Sequence, residues 1–345
     1  MPGIRFDKLA EKFTAALELA GATVLLTGAP SARPLTLGVI SEGETFRLEV
    51  YLWAVTFGGK GRGRPDERRI QLTNVDRFTL KAGVKTILGG WSEEEGVFAF
   101  WDVRRHLGFS AGSPSLQISA KTLQRAANVG FATEIRDVRE GKETAIAVHP
   151  DYLMWYLREY ERLYDCGAEA RDAAGLVDAE PEAEREFIDS GASDAEQSRR
   201  HQVVSVLRTF REARFRPMVL RAYGFRCCLT GVALRLVDAA HVVPVSDPTH
   251  TDEPRNGVAL NPLLHRAYDA GLLGLLPGGR TAIHTRLLAG LKKNKLDAGL
   301  EVLTGMIPQE MRMPGSPDLR PTDDLLLRGL KARGWTDAEI RRASA

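Results

Sequence analysis

This 345-residue chain has few cysteines, no long apolar run and no pattern that predicts a leader sequence. Its three cysteines are too few for a disulfide framework, so we expect a protein of the reducing cytoplasm. No run approaches the roughly 18 apolar residues of a transmembrane helix. The N-terminus carries Asp7 and Glu11 where a signal peptide would need an apolar core. These absences predict a cytoplasmic protein without a membrane partner.

The composition is that of a globular protein with two domains. Apolar residues make up 43% and charged residues 27% of the chain, which excludes disorder throughout. At roughly 100–200 residues per domain, the length favours two domains. The net charge of +2 conceals an acidic segment, residues 167–199, with ten acids and three arginines. We interpret this segment as a linker between domains at 1–166 and 200–345, and the alternative is a charged surface helix.

The first domain shows patterns of both strands and helices. Nine strand-like runs lie between positions 22 and 148, and many of them alternate apolar with polar residues. Helical periodicity marks residues 5–20, 119–129 and 151–164, with Ser119 and Asp151 as expected N-caps. The pattern predicts an α+β domain whose mixed, mostly antiparallel sheet is flanked by helices.

A glycine-rich loop at residues 57–69 is a candidate for DNA contact. It contains four glycines and five basic residues. An arginine-bearing loop of this kind suits entry into a DNA groove and contact with phosphates. The alternative is a solvated hairpin tip. The expected DNA-contacting residues are Lys60, Arg62, Arg64, Arg68 and Arg69.

Aromatic residues are dense on the strand-like runs of the same domain. Such rings could stack on a base flipped out of the duplex, and packing in the core is the simpler explanation. The residues concerned are Tyr51, Trp53, Trp91, Phe98, Phe100 and Trp101.

The second domain opens with an arginine-rich segment, residues 199–226. It contains eight arginines and one acid, Glu212. Its apolar residues follow two helical stripes, which leaves arginines on the opposite faces. A face of this charge predicts contact with a polyanion such as nucleic acid, and the alternative is a merely solvated face. The candidate contacts are Arg208, Arg211, Arg214 and Arg216.

Four short motifs follow in a fixed order. They read Cys-Cys-Leu-Thr-Gly at 227–231, Ala-Ala-His-Val-Val-Pro at 239–244, Asn-Gly-Val-Ala-Leu at 256–260 and His-Arg-Ala-Tyr-Asp-Ala-Gly at 265–271. In this order they resemble the motifs of the HNH, or ββα-metal, endonuclease family. The resemblance extends from about position 215 to position 285. It implies a ββα-metal nuclease domain, here with helical extensions.

The resemblance implies catalytic roles for three residues. His241, which ends the first strand, matches the general base that takes a proton from the attacking water. Asn256 matches the residue that ties together the two limbs of the loop between the strands. His265 matches a metal ligand on the following helix. Asp269 lies four residues further on the same helix face, so we expect it to bind the same ion.

One departure from the family concerns the residue before the general base. Many members have a metal-binding Asp or His there, and this chain has Ala240. Asp238 has the same strand parity, so its carboxylate is a candidate replacement; the alternative is a solvent-facing residue. Mixed His and Asp ligands favour one Mg²⁺ or Mn²⁺ ion per active site. Three cysteines cannot form a four-cysteine site, so no structural zinc is expected.

The resemblance and the domain order together imply a metal-dependent endonuclease of double-stranded DNA. An HNH core contacts mainly the DNA backbone, with Arg266 as a candidate phosphate clamp, so specificity must come from the first domain. We therefore expect a bacterial restriction enzyme of antiviral defence whose first domain reads the target and senses modified bases. Cleavage of both strands would call for a homodimer or for two sequential nicks.

Three alternatives stay open. The first is a type II-like restriction enzyme that reads plain sequence. The second is a structure- or RNA-directed HNH nuclease. The third is a non-cleaving DNA-binding protein with a degenerate HNH fold, for which Ala240 is the only support.

Overall fold

The structure is a computed structural model that describes residues 4–41, 43–58, 66–108, 114–138, 141–166, 181–191 and 193–344. The chain divides into two compact units, Met1–Phe210 and Arg211–Ala345. The domain boundaries that the sequence suggested, 1–166, 167–199 and 200–345, stay predictions. The described part of the acidic segment is helical over 181–189 and again from residue 194.

The first unit combines helices with a large and a small sheet. Its helices are α1 (Phe6–Leu19), α2 (Ala120–Val129), α3 (Leu153–Asp165), α4 (Pro181–Asp189) and the first part of α5 (Asp194–Ala222). Its strands are β1 (Thr23–Leu26), β2 (Leu35–Ser41), β3 (Glu44–Ala54), β4 (Thr56–Phe57), β5 (Glu67–Gln71), β6 (Lys85–Ser92), β7 (Val97–Trp101), β8 (Ser115–Ser119), β9 (Phe131–Val138) and β10 (Gly141–Val148).

Seven of these strands form the large sheet, in the order β1-β2-β3-β6-β7-β10-β9. The pair β3 and β6 is parallel, and the other neighbours in the sheet are antiparallel. A separate antiparallel sheet has the order β4-β5-β8. The predicted α+β architecture with a mixed, mostly antiparallel sheet is confirmed.

The strand aromatics lie in the core of the first unit. Each of the six rings singled out in the sequence is at most 8% exposed. The ring of Phe100 stacks on that of Tyr156 with centroids 4.2 Å apart, which joins α3 to the large sheet. Core packing therefore explains these residues.

Helix α5 merges two apolar stripes into one helix of 29 residues. In its first stripe, Phe210 packs against Phe131, Tyr152 and Trp155, with ring centroids 4.5–5.0 Å away. In its second stripe, Phe215 is buried in the core of the second unit. The sequence pattern identified both stripes, but it did not show that the helix is continuous between them.

Two predicted N-caps have different outcomes. The Ser119 hydroxyl accepts a hydrogen bond from the Thr122 backbone N–H, as expected of the residue that caps α2. The prediction for Asp151 is wrong, because α3 begins only at Leu153. The preceding residues, Pro150–Tyr152, form a 3₁₀ turn that His149 caps.

The second unit is built on two short antiparallel hairpins and several helices. Strands β11 (Asp238–His241) and β12 (Gly257–Leu260) pair with each other, and so do β13 (Leu273–Leu275) and β14 (Thr281–Ile283). The helices are α6 (Pro262–Asp269), α7 (Thr285–Lys293), α8 (Leu300–Gly305), α9 (Asp323–Ala332) and α10 (Asp337–Ser344). Thr322 caps α9 with its side chain, and Thr336 with Glu339 forms a capping box at the start of α10.

Among the residues that the structure describes, every helix is too short or too polar to span a bilayer.

Substitution of Gly89 by Ala should destabilise the first unit. A Cβ at this position of β6 would lie 2.4 Å from Cδ1 of Phe100 and 2.8 Å from the Ala99 carbonyl oxygen. Overpacking of a core of this kind typically costs about 1–3 kcal/mol. Urea denaturation, followed by tryptophan fluorescence, measures the loss. Gly38→Ala in β2 is the control, since its Cβ would make ordinary contacts at 3.7 Å and beyond; equal stability of the two variants would contradict the prediction.

Candidate active site

His241 ends β11 and lies flat against an aromatic ring. Its imidazole stacks on the Phe215 ring, with centroids 3.7 Å apart and planes 5° from parallel. The opposite residue of the hairpin, Gly257, makes the approach of α5 possible. A Cβ there would lie 2.2 Å from Cγ2 of Val219 and 2.9 Å from Cζ of Phe215. The glycine of the Asn-Gly motif therefore allows the helix to support the histidine.

Asp252 is the polar partner of this histidine. Its Oδ1 lies 3.0 Å from Nε2 of His241. An imidazole that donates its Nε2 proton to a carboxylate is unprotonated at Nδ1. A general base needs such a free lone pair to accept a proton. The hydrogen bond from His241 lowers the pKa of the Asp252 carboxyl, and the charges of His250 and Arg211 lower that pKa further, against the opposing effect of burial. The carboxylate thus stays ionised beside the ring.

Asn256 fixes the loop between β11 and β12. Its side chain is fully buried. The amide oxygen accepts a hydrogen bond from the Val243 N–H at 2.8 Å. The amide nitrogen donates to the carbonyl oxygens of Val243 at 3.1 Å and Thr251 at 2.8 Å. These bonds join the start of the loop to its end, so the segment that contains Asp252 is held against the end of β11.

A second histidine lies between two carboxylates. Nδ1 of His265, on α6, is 3.7 Å from Oδ2 of Asp238 on β11. On the other side of the ring, Nε2 is 3.2 Å from Oδ2 of Asp269, one helical turn further along. The three side chains line a single open cavity together with Pro262 and Arg266. Ala240 does not contribute, because it is fully buried.

The residue types around His265 fit a hard divalent cation. Carboxylate oxygens and one imidazole are ligands that Mg²⁺ and Mn²⁺ accept, and Mg²⁺ commonly takes the rest from water and phosphate. The geometry limits the protein's share, because Asp238 and Asp269 approach opposite nitrogens of the same ring. Across the described ranges, no three His, Cys, Asp or Glu side chains are placed to hold one ion. His265 with Asp269 is thus the pair best suited to such an ion.

The candidate DNA-contacting residues have different surroundings. Lys60, Arg62 and Arg64 lie outside the described residues. Arg68 is mostly buried and pairs with Glu94 at 3.3 Å. Nε of Arg69 is buried without a hydrogen-bond partner.

The candidate DNA-contacting arginines on α5, and Arg266 on α6, also differ in exposure and in their partners. Arg208 is exposed and pairs with the buried Glu184 at 3.1 Å. Arg266 lines the cavity, and Arg216 lies 3.8 Å from Asp238, one of the other lining residues. Arg211 and Arg214 are partly buried.

The adjacent cysteines have a structural environment. Cys227 and Cys228 are free thiols in the core of the second unit. Burial raises the pKa of the Cys228 thiol well above its ordinary value, so it stays protonated. The Cys228 N–H donates to the Ala259 carbonyl at 2.7 Å, which joins this turn to β12.

Comparison with known families identifies the segment that contains this site. Residues 227–275 match the sequence model of the HNH endonuclease family. This segment is an HNH endonuclease domain. The chain is therefore a nuclease, and the resemblance seen in its motifs is confirmed. Residues 46–157 match a second family, described as methylase-associated X1.

Similarity to whole proteins is weak. No curated protein matches the chain. One solved structure that resembles it is titled a modification-dependent TagI restriction endonuclease. The two are 12% identical over 85% of each chain, with a TM-score of 0.29. A score this low does not establish a shared fold.

Asp252→Asn should destabilise the second unit in a pH-dependent way. The folded-state pKa of Asp252 lies below its unfolded value. Its contribution to stability is therefore fully present above the unfolded pKa, about 3.9, and is lost as pH falls through the folded pKa. The stability gap between wild type and variant should narrow from pH 7 to pH 3. Urea midpoints at several pH values measure it, and a gap that stays constant would contradict the proposed ionisation.

Asn256→Ala should destabilise the second unit more strongly. It leaves the Val243 N–H and the carbonyls of Val243 and Thr251 without their side-chain partner. An unsatisfied buried polar group costs about 1–3 kcal/mol, so a loss of at least about 2 kcal/mol is expected. The exposed Asn294→Ala is the control in the same urea titration. Equal midpoints for the two variants would show that the loop does not depend on this amide.

Proposed function

We propose that this nuclease is a divalent-metal-dependent endonuclease of double-stranded DNA that serves a bacterial restriction system. The observation that carries the proposal is the approach of His265 on α6 to Asp238 on β11. The same strand ends in His241, so the candidate base and the candidate metal ligand belong to one small ββα unit. Hydrolysis of a phosphodiester needs both an activated water and relief of charge on the phosphate.

In the proposed mechanism, His241 is the general base. Nδ1 takes a proton from the water that attacks phosphorus, while Nε2 stays paired with Asp252. The aspartate stabilises the imidazolium that forms, and the stacked Phe215 ring limits tilting of the base. Asn256 preserves the arrangement by fixing the loop on which Asp252 lies.

The residues around His265 are proposed to bind a metal ion and to stabilise the charge of the phosphate. His265 and Asp269 would hold one Mg²⁺ or Mn²⁺ ion, with Asp238 as a further candidate ligand. When bound, the ion would supply positive charge for the phosphate and the departing 3′ oxygen. Arg266 lines this cavity and Arg216 pairs with Asp238, so both arginines would contact phosphate oxygens directly.

Target selection is proposed for the first unit. An HNH domain of about 50 residues has little surface for reading bases, so specificity must come from another part of the chain. The match of residues 46–157 to a methylase-associated family supports a link between this unit and DNA methylation. We propose that this unit makes cleavage depend on modified bases, with its basic loop and the arginines of α5 contacting the DNA backbone. Cleavage of both strands would use a homodimer or two successive nicks.

The family description also favours a second candidate. A nuclease that works with a protective methylase must spare methylated DNA rather than require it. In that case the first unit would read plain sequence, and a methyl group at the site would block cleavage.

His241→Ala should strongly slow cleavage of plasmid DNA in Mg²⁺ or Mn²⁺. Loss of a general base typically lowers the rate by about 10²–10⁴-fold. The control is His201→Ala, an exposed histidine on α5 that should leave the rate unchanged. Agarose gels over a time course measure the rate. A variant as active as wild type would remove His241 from the mechanism.

The same assay decides between the two candidates. The plasmid is prepared unmodified, adenine-methylated and cytosine-methylated. Cleavage of one methylated form alone supports dependence on modification. Cleavage at fixed sites that a methyl group within the site blocks supports the second candidate. Equal cleavage at sites that carry the methyl group and at sites that do not excludes both kinds of sensing. Salt-dependent binding without cleavage of any form would overturn the proposed function of this chain.

A further inference from the structure

We infer that Arg333 is a positioning residue that joins β11, which ends in the candidate base, to α6, which carries the candidate metal ligands. Arg333 lies in the C-terminal tail, the part of the chain that follows residue 275. The inference rests on the proposed function for its meaning in catalysis, and its contacts stand independently of it. The HNH match ends at residue 275, so Arg333 lies well outside the recognised domain.

The guanidinium of Arg333 is buried, with 4% of the side chain exposed. Nη2 donates to the His241 carbonyl oxygen at 2.8 Å and to Oδ1 of Asp269 at 3.1 Å. Nη1 donates to the Val242 carbonyl oxygen at 2.6 Å. One side chain thus binds the backbone of the candidate base and a carboxylate of the candidate metal site.

Tyr268 completes the link on the side of α6. The guanidinium carbon of Arg333 lies 3.9 Å from the centroid of the Tyr268 ring. The Tyr268 hydroxyl donates to the Val242 carbonyl oxygen at 3.3 Å. Tyr268 is adjacent to Asp269 and three residues after His265, so α6 is tied to the end of β11 both through the arginine and directly.

Two glycines and a tryptophan allow the tail to hold Arg333 in this position. A Cβ on Gly329 would lie 2.3 Å from the Val242 carbonyl oxygen, so α9 can approach the strand only with glycine there. A Cβ on Gly271 would lie 2.5 Å from the Arg333 carbonyl oxygen. Nε1 of Trp335 donates to the Gly271 carbonyl at 2.9 Å. The tail is therefore seated on the turn that follows α6.

The contact with Asp269 gives Arg333 a role beyond holding the tail. Arg333 binds Oδ1, while Oδ2 of the same carboxylate faces Nε2 of His265. Asp269 is largely exposed, and a free carboxylate in that setting would rotate. The arginine selects which oxygen is directed towards His265. A lysine cannot replace it, because a single ammonium lacks the planar fork that spans two carbonyls and a carboxylate.

Arg333→Lys tests the inference directly. We expect a folded protein that binds DNA in EDTA within twofold of wild type, as measured by fluorescence anisotropy. Its kcat should fall at least 100-fold with little change in KM, because groups are misplaced rather than binding lost. Arg342→Met, an exposed arginine on α10, is the control and should match wild type. A wild-type kcat for Arg333→Lys would overturn the inference.

A second variant and a spectroscopic readout separate positioning from folding. Gly329→Ala displaces α9 from Val242 without altering the guanidinium, and should reproduce the loss of kcat. In metal-free protein without DNA, the ¹H–¹³C NMR signals of His241 and His265 should shift in both variants, while that of His201 should not. Loss of activity in proportion to the unfolded fraction, with unshifted histidine signals in the folded protein, would assign Arg333 a purely structural role.

The NMR arm also separates this inference from the proposed function. If wild type cuts no DNA, the proposed function fails, yet shifted His241 and His265 signals still support the positioning role. If wild type cuts DNA and His241→Ala does not, the proposed function stands. In that case a wild-type kcat of Arg333→Lys, or unshifted histidine signals in the folded variant, counts against the role of Arg333 alone.

Discussion

The buried amide of Asn256 is the interaction on which the candidate active site depends. Strands β11 and β12 have only four residues each, and a hairpin of that size has little stability of its own. The amide makes three hydrogen bonds to the backbone at both ends of the loop. Without them, the loop that contains Asp252 would have no fixed relation to His241.

Each candidate histidine is held by a group from another part of the second unit. Phe215 of α5 supports the His241 ring, and Asp252 of the loop holds its Nε2. Arg333 of the tail binds the backbone below that ring and the carboxylate beside His265. A small motif thus gains rigidity from its surroundings, which is how groups are kept in a productive geometry.

The features that could be predicted from sequence are those that produce a local pattern of residues. Alternating apolar residues located the strands of the first unit, and spaced motifs located His241, Asn256 and His265. Asp252 escaped notice because a single acid in a loop has no signal of its own, although it lies four residues before Asn256. Arg333 could not be found from sequence at all, since its contacts join residues 64 and 92 positions apart. The continuity of α5 was also hidden, because its two apolar stripes face different cores.

The distance along the chain between Asp269 and Arg333 has a consequence during synthesis. The 64 positions that separate them take roughly 3 to 13 seconds to translate at about 5–20 residues per second. During that interval the HNH motif exists on the ribosome without the guanidinium that spans its two halves. An immature chain therefore has the HNH motif before it has the completed support of the candidate site.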